Sequence, residues 1–487
     1  MRWSVVVGVV ALSACGPALE RPFPDDFMWG AATAGFQVDM GCPTWSDEDC
    51  VDQNSDWYQW VTTQSIIDDE GLFVTGEPVS VGPGMWELFE EDVDRMASDG
   101  MNTYRMSLEW SRLFPDGAAE AAGSVDELDS YVDEAARLRY HEMFTALADA
   151  DISPLVTVNH YTMPLWVHDG VACHDDLPSC SANGWVDGDR ILPLMTLFTS
   201  WVAQEYGGEV DRWATLNEPF ATTLSGYVLP SEDRSSPPGR SLENDAAVAV
   251  AVHQVEAHAM MYDALHEIDT LDADGDGIAA DVGIVMNMVA IQPLDPESEA
   301  DRLGAEHMDY LYHRLYLDAL TTGQWDDDLD GVADRTRDDL ANRLDWIGVN
   351  YYNRVTVTGW GLQLLPAIPV FDFFPEVSWD IYPEGLAEVL IIAGEYGLPV
   401  IVTENGTNIT ESALEALEGH LENVYVALEA GVDIRGYLYW TFVDNYEWNH
   451  GMAWRMGLYE LDVDTKERIP RPVLERMRVV MDQNGLE

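Results

Sequence analysis

Eight short apolar runs, separated by longer amphipathic stretches, constrain the fold of this chain more than anything else in it. They read FMWGAATAGFQ (27–37), TYRMSL (103–108), SPLVTVNH (153–160), RWATLNE (212–218), VGIVMNM (282–288), DWIGVNYY (345–352), PVIVTENG (399–406) and GYLYWTFVD (436–444). Each is nearly continuous in apolar character rather than alternating, as expected of strands covered on both faces. Between them lie helical patterns such as WELFEEDVDRMASDG, stopped by Gly100, and AAVAVAVHQVEAHAMMYDALHEI. Strands and helices in strict alternation predict an α/β fold, a (β/α)8 TIM barrel with elaborated loops and one catalytic domain. An open doubly wound sheet is the other solution, but no glycine-rich phosphate loop follows the first run. Residues 38–85 and 161–190 exceed what a minimal barrel needs and read as insertions.

The 487 residues are 47% apolar, with 18 Trp and 20 Tyr, and carry a net charge of −64. Such a field repels nucleic acid and anionic surfaces, so no nucleic-acid partner is expected. The apolar content excludes an acidic disordered chain. Flat aromatic rings in this number suit sugar-binding clefts as well as a large core.

At the N-terminus, MRWSVVVGVVALSAC has one basic residue and an apolar stretch too short to span a bilayer. Residues 1–14 read as a signal peptide, and Leu12-Ser13-Ala14-Cys15 resembles a bacterial lipobox, with Cys15 lipidated. Residues 15–24 form the tether, which spans at most about 30 Å, and 25–487 the barrel domain. Membrane contact is expected through that lipid alone, and Gly16 in place of Asp favours an outer membrane. Cysteine parity agrees: of five, setting Cys15 aside leaves four. Of the three pairings open to them, the local one, Cys42–Cys50 and Cys173–Cys180, is expected in an oxidising compartment. A zinc site finds no fitting spacing.

Two acidic inserts punctuate the second half. At 272–277, Asp272, Asp274 and Asp276 alternate before Gly277; at 326–334, Asp326, Asp328, Asp330 and Asp334 surround Gly331. Alternating carboxylates before a glycine turn suit a hard cation, so structural calcium is the expectation, with a solvated acidic turn as the plain alternative. Neither matches an EF-hand, whose twelfth position would be Gly283 in one and Arg337 in the other. Both precede strands and so belong on the barrel face away from the chemistry.

Chemistry in such barrels gathers at the C-terminal strand ends. Those ends carry Gln37, Arg105, His160, Glu218, Asn287, Tyr352, Glu404 and Trp440. Glu218 on the fourth strand and Glu404 on the seventh are the only acids among them and face each other across the barrel. Two opposed carboxylates are what glycosidic cleavage requires.

Here the chain resembles a known family. TLNEP (215–219) and TENG (403–406) are similar to the two signature strands of glycoside hydrolase family 1, the β-glucosidase family. FMWGAATAGFQ, YRMSLEWSRLFP, VNHYTMPLW, IGVNYYNR and YWTFVDNYEWNHGMAWRMGLYELD follow the family's order over nearly the whole chain after its leader. The resemblance implies a retaining β-glycosidase, acting on small oligosaccharides or aryl and alkyl β-glycosides, with no cofactor for catalysis. It makes Glu404 the nucleophile and Glu218 the acid/base, with Arg105 and Tyr352 serving Glu404 and Asn217 binding the sugar 2-hydroxyl. Gln37, His160, Asn287 and Glu447 would meet the remaining hydroxyls, with Trp440 beneath the ring and Trp448 beside it. Glu447, and the absence of Lys from 441–460, argue against 6-phosphoglycosides. Asp39 and Met40 depart from the Glu-Gly often found there, which leaves aglycone preference open. A transglycosylase on the same site and a non-catalytic sugar receptor are the rival readings; the receptor does not need an activated pair.

Overall fold

The computed structural model describes residues 21–232, 234–359 and 381–486. The signal stretch and Cys15 lie outside the described residues. Eight parallel strands close into a barrel. They are β1 (Met28–Ala32), β2 (Thr103–Ser107), β3 (Ser153–Asn159), β4 (Arg212–Asn217), β5 (Asp281–Asn287), β6 (Trp346–Tyr351), β7 (Val400–Asn405) and β8 (Ile434–Trp440). Each pairs with its sequence neighbours, and β8 closes on β1. The expected barrel is the observed one.

A helix follows each strand before the next begins. In order they are α1 (Met85–Asp99), α2 (Glu134–Asp149), α3 (Gly188–Tyr206) and α4 (Asn244–Ile268), then α5 (Glu299–Asp309). A π turn at Tyr310–Arg314 carries α5 on into the helix Leu315–Thr322. The last three are α6 (Glu384–Gly394), α7 (Ala413–Glu429) and α8 (Pro472–Gln483). In α1 the buried residues Trp86, Phe89, Val93 and Met96 recur at helical spacing, so one stripe meets the barrel. Gly100 ends the helix at φ +86°, a left-handed conformation that costs glycine little.

The first strand is shorter than its apolar run. It stops at Ala32, and Gly35–Asp39 turns into a helix that carries Gln37. The Gly35 amide donates to Ser107 Oγ at 2.9 Å, and a Cβ at Gly35 would lie 2.6 Å from Glu109 Oε1. Only glycine lets the backbone come this close to the buried Glu109 carboxyl. Continuous apolar character marks burial, which a helical turn against the core satisfies as well as a strand.

The two insertions fold against each other above β1 and β3. Asp56, which opens the helix Asp56–Thr62, accepts from the Met163 amide at 2.9 Å and from His168 Nδ1 at 2.7 Å. Disulfides join Cys42 to Cys50 and Cys173 to Cys180, the local pairing expected from the sequence. At the other end of the barrel, a short strand at Arg21–Pro22 pairs antiparallel with Gly485–Leu486. The two acidic inserts also lie there, one between α4 and β5, the other between α5 and β6.

Candidate active site

Backbone irregularity concentrates where the strands end. The register of β4 against β5 jumps between Ala214 and Asn217, and that of β6 against β7 between Val349 and Asn350. Another jump separates Val402 from Asn405 on β7. Such bulges re-aim side chains that a regular pleat would send elsewhere. Glu218 then leaves β4 at φ +42°, ψ 57°, with Pro219 opening the short helix Pro219–Thr223. Proline disfavours the right-handed helical region for the residue before it, and a left-handed L-residue is strained. Ten non-glycine residues among those described have positive φ, and Tyr161, Glu218 and Trp448 are three of them. All three stand in one cleft, so strain is being held at the site.

Glu404 is fixed through both oxygens. Arg105 Nη1 donates to Oε1 at 2.6 Å and the Tyr352 hydroxyl to Oε2 at 2.7 Å. Arg105, fully buried, also donates through Nε to Thr157 Oγ1 at 3.0 Å and through Nη2 to Asn217 Oδ1 at 2.8 Å. Burial pushes the Glu404 carboxyl up to about 7; Arg105 pulls it down, the Glu218 charge pushes it up, and the Tyr352 bond lowers it. Of the two carboxyls it is Glu404 that holds the guanidinium.

Glu218 accepts from Asn350 Nδ2 at Oε1, 2.9 Å away, and from the Tyr161 hydroxyl at Oε2. Among the described residues no cation lies within ion-pair distance of it. The Asn350 amide is itself oriented, because its Oδ1 accepts from Thr403 Oγ1 at 2.7 Å. It also donates to Asn217 Oδ1 at 3.1 Å. With Oδ1 so occupied, Asn217 turns Nδ2 to His160 Nε2 at 3.0 Å. Burial and the charges of Arg105 and Arg234 push His160 well below its ordinary range, so the ring is neutral. Its hydrogen is therefore on Nδ1, which is buried without a protein partner.

Glu447 lies on the far wall, accepting from Gln37 Nε2 at 2.8 Å, Asn445 Nδ2 at 3.2 Å and Arg234 Nη2 at 3.4 Å. Gln37 Oε1 and Asn445 Oδ1 are buried and unpartnered, like His160 Nδ1. Buried polar groups normally find partners, so three atoms left without one among the described residues mark this wall. The rings of Trp440 and Trp448 each lie 5.9 Å from His160, tilted by 22° and 23°, as near-parallel aromatic walls.

The fold thus brings together Gln37, Arg105, His160, Asn217, Glu218, Tyr352, Glu404, Trp440, Glu447 and Trp448. Asn287 ends β5 beside Asn350, half-buried, and it is Asn350 that carries the hydrogen bond to Glu218. Sequence reasoning missed Asn350, Tyr161, Asn445 and Arg234. Tyr161 adjoins His160 and Asn350 lies two residues before Tyr352; their side chains are aimed by the positive φ and by the bulge. Arg234 sits in the loop SEDRSSPP, where nothing local marks it.

On the opposite face the carboxylates regroup. Asp211, Asp272 and Asp274 gather within 4.8 Å of one another, and so do Asp326, Asp328 and Asp334. Asp276 and Asp330 stand outside these groups: each accepts instead from the amide two residues on, Ile278 and Val332, both at 2.8 Å. Asp211 takes the place expected of Asp276: it stands immediately before β4, where the loop folds back and gives it the amides of Ala273 and Asp274.

Comparison with known proteins agrees with this fold. The family model for glycosyl hydrolase family 1 matches residues 19–486. A β-galactosidase of Pyrococcus woesei is 31% identical over 95% of this chain and 98% of its own length. The β-glycosidase structure from Thermosphaera aggregans superposes with a TM-score of 0.82 at 28% identity, covering 96% and 98% of the two chains. The β-glucosidase of Pyrococcus furiosus gives 0.79 at 28%, covering 96% and 97%.

Replacing Arg105 by Gln removes the cation that keeps Glu404 ionised. The acidic limb of the pH profile on an aryl β-glycoside is expected to move to higher pH. The rate constant kcat/KM is expected to fall by about a hundredfold or more. An unmoved limb would show that Arg105 does not set the charge of Glu404.

Proposed function

The chain belongs to glycosyl hydrolase family 1 and is a glycoside hydrolase; we propose that Glu404 is its nucleophile and Glu218 its acid/base in a retaining, double-displacement mechanism. The observation that carries the assignment is the asymmetry of the pair: a guanidinium lies 2.6 Å from one carboxyl and, among the described residues, none pairs with the other. In the first step a Glu404 oxygen bonds to the anomeric carbon. The bond from that carbon to the leaving oxygen breaks, and the Glu218 proton goes to that oxygen. Once Glu404 is an ester its charge is gone, and Glu218, now a carboxylate, takes a proton from water. That water oxygen bonds to the anomeric carbon and Glu404 departs, leaving the sugar with its original configuration.

The substrate reading is a non-reducing-end β-D-glucoside or galactoside. It is supported by the relatives named β-galactosidase and β-glucosidase and by the unpartnered groups around Glu447, His160 and Gln37. Glu404→Gly is expected to abolish hydrolysis and, with added azide, to yield the glycosyl azide of inverted configuration. Product NMR reads the outcome; wild-type-like hydrolysis in the variant would sink the assignment.

Calcium at the two acidic groups is a further part of this proposal. Three carboxylates within 4.8 Å of one another supply the hard oxygen donors such an ion takes. Asp211, Asp272 and Asp274 would hold one ion, and Asp326, Asp328 and Asp334 the other. Each would tie a loop to the end of the barrel, away from the chemistry. Chelation is expected to lower Tm and calcium alone to restore it; a Tm indifferent to both would leave these as solvated turns.

We also propose export with a lipid on Cys15. The short strand at Arg21–Pro22 is pinned by the chain's other end, at the N-terminal face of the barrel. A tether leaving from there supports a cleft that points away from the membrane. Cys15→Ala is expected to move the protein from the detergent phase to the aqueous phase on partitioning. Equal partitioning of both forms would refute lipidation.

A further inference from the structure

Glu218 changes charge twice in every turnover, and its two partners differ in how they meet that change. Asn350 Nδ2 can only donate. The Tyr161 hydroxyl can turn, and in the ionised state it donates to Oε2. We propose that Tyr161 is the positioning residue of the acid/base. Its hydroxyl aims the Glu218 carboxyl and stabilises the carboxylate formed when the proton passes to the leaving group. The inference rests on the reading of Glu218 as acid/base.

The surroundings make Tyr161 a rigid support. Its backbone is left-handed at φ +71° and its side chain is buried. The ring lies 5.1 Å from Trp448 at 60° and 5.2 Å from His160 at 77°. On the loop after β4, the Arg234 guanidinium carbon stands 5.8 Å from the ring centroid and 6.0 Å from that of Trp448. A cation at that distance draws on the ring's electrons and makes the phenolic hydrogen a better donor. Arg234 is itself held by Glu447 at 3.4 Å, so the sugar-binding wall and the acid/base are joined through one tyrosine.

The charged and titratable groups facing Glu218 come from several elements. Glu404 is on β7, Tyr352 follows β6, and Tyr312 belongs to the π turn after α5. Arg234 and Glu447 complete the set. All remain in Tyr161→Phe, which removes one oxygen and keeps the ring.

With that variant, glycosides with a poor leaving group, such as an alkyl β-glucoside, are expected to lose roughly tenfold in kcat/KM, the worth of one charge-assisted hydrogen bond. The 2,4-dinitrophenyl glucoside, whose leaving group needs no proton, is expected to change less than about twofold. The alkaline limb of the pH profile is expected to move to higher pH, because the carboxylate has lost a donor. Equal losses on both substrates with an unmoved limb would make Tyr161 merely structural and overturn the inference, as would no loss on either. A separate control is Glu218→Ala with azide. Failure to form the β-glycosyl azide there overturns the acid/base assignment itself, whereas its formation beside an unselective Tyr161→Phe overturns only the role of Tyr161.

Discussion

The buried guanidinium of Arg105 is the interaction on which the site depends. It starts on β2, touches Thr157 on β3 and Asn217 on β4, and reaches across the barrel to Glu404 on β7. An unpaired buried cation would cost several kcal/mol, so the barrel must supply acceptors at fixed places. Asn217 takes one end of the guanidinium and passes orientation on to His160 and Asn350. Asn350 reaches Glu218. One desolvated charge thereby sets the geometry of both carboxyls.

That arrangement also explains how two acids of one kind take different roles. Burial raises the cost of ionising Glu404, and the charge of nearby Glu218 adds to it. The guanidinium breaks the tie in favour of Glu404. In the mechanism we propose, Glu404 is accordingly the charged nucleophile and Glu218 the proton donor. The surface charge of −64 plays no direct part in this local asymmetry. A strongly negative exterior bears on solubility and on which partners approach, whereas short-range contacts in a low-dielectric cleft decide protonation.

Elaboration follows the polarity of the barrel. The disulfide-stapled insertions cover the end where the chemistry is, and the acidic inserts and the paired chain ends lie at the other. The insertions hold Asp56 and His168 against the segment carrying Tyr161 and Met163. In this way loops that look like additions in the sequence become walls of the site. The barrel itself is sufficient for strand order and for facing glutamates; it does not provide the wall that supports Glu218.

The sequence by itself determined the alternation of strands and helices, pointed to the two glutamates we propose as catalytic, and favoured the disulfide pairs observed. These depend on local patterning, which the chain displays directly: apolar runs of strand length, carboxylates at their ends, cysteines a few residues apart. It overran the first strand to Gln37, because apolar continuity records burial and not conformation. It passed over Asn350, because a bulge between Val349 and Asn350 re-aims that side chain without any change in residue type. It left out Asp211, Tyr161 and Arg234. What only the tertiary structure decided is which distant groups meet: Asp211 with Asp272, Tyr161 with Glu218, Arg234 with Glu447. The reason is physical. Periodicity is written into neighbouring residues, whereas a contact across the barrel depends on bulges, left-handed residues and loop closure that no single segment encodes.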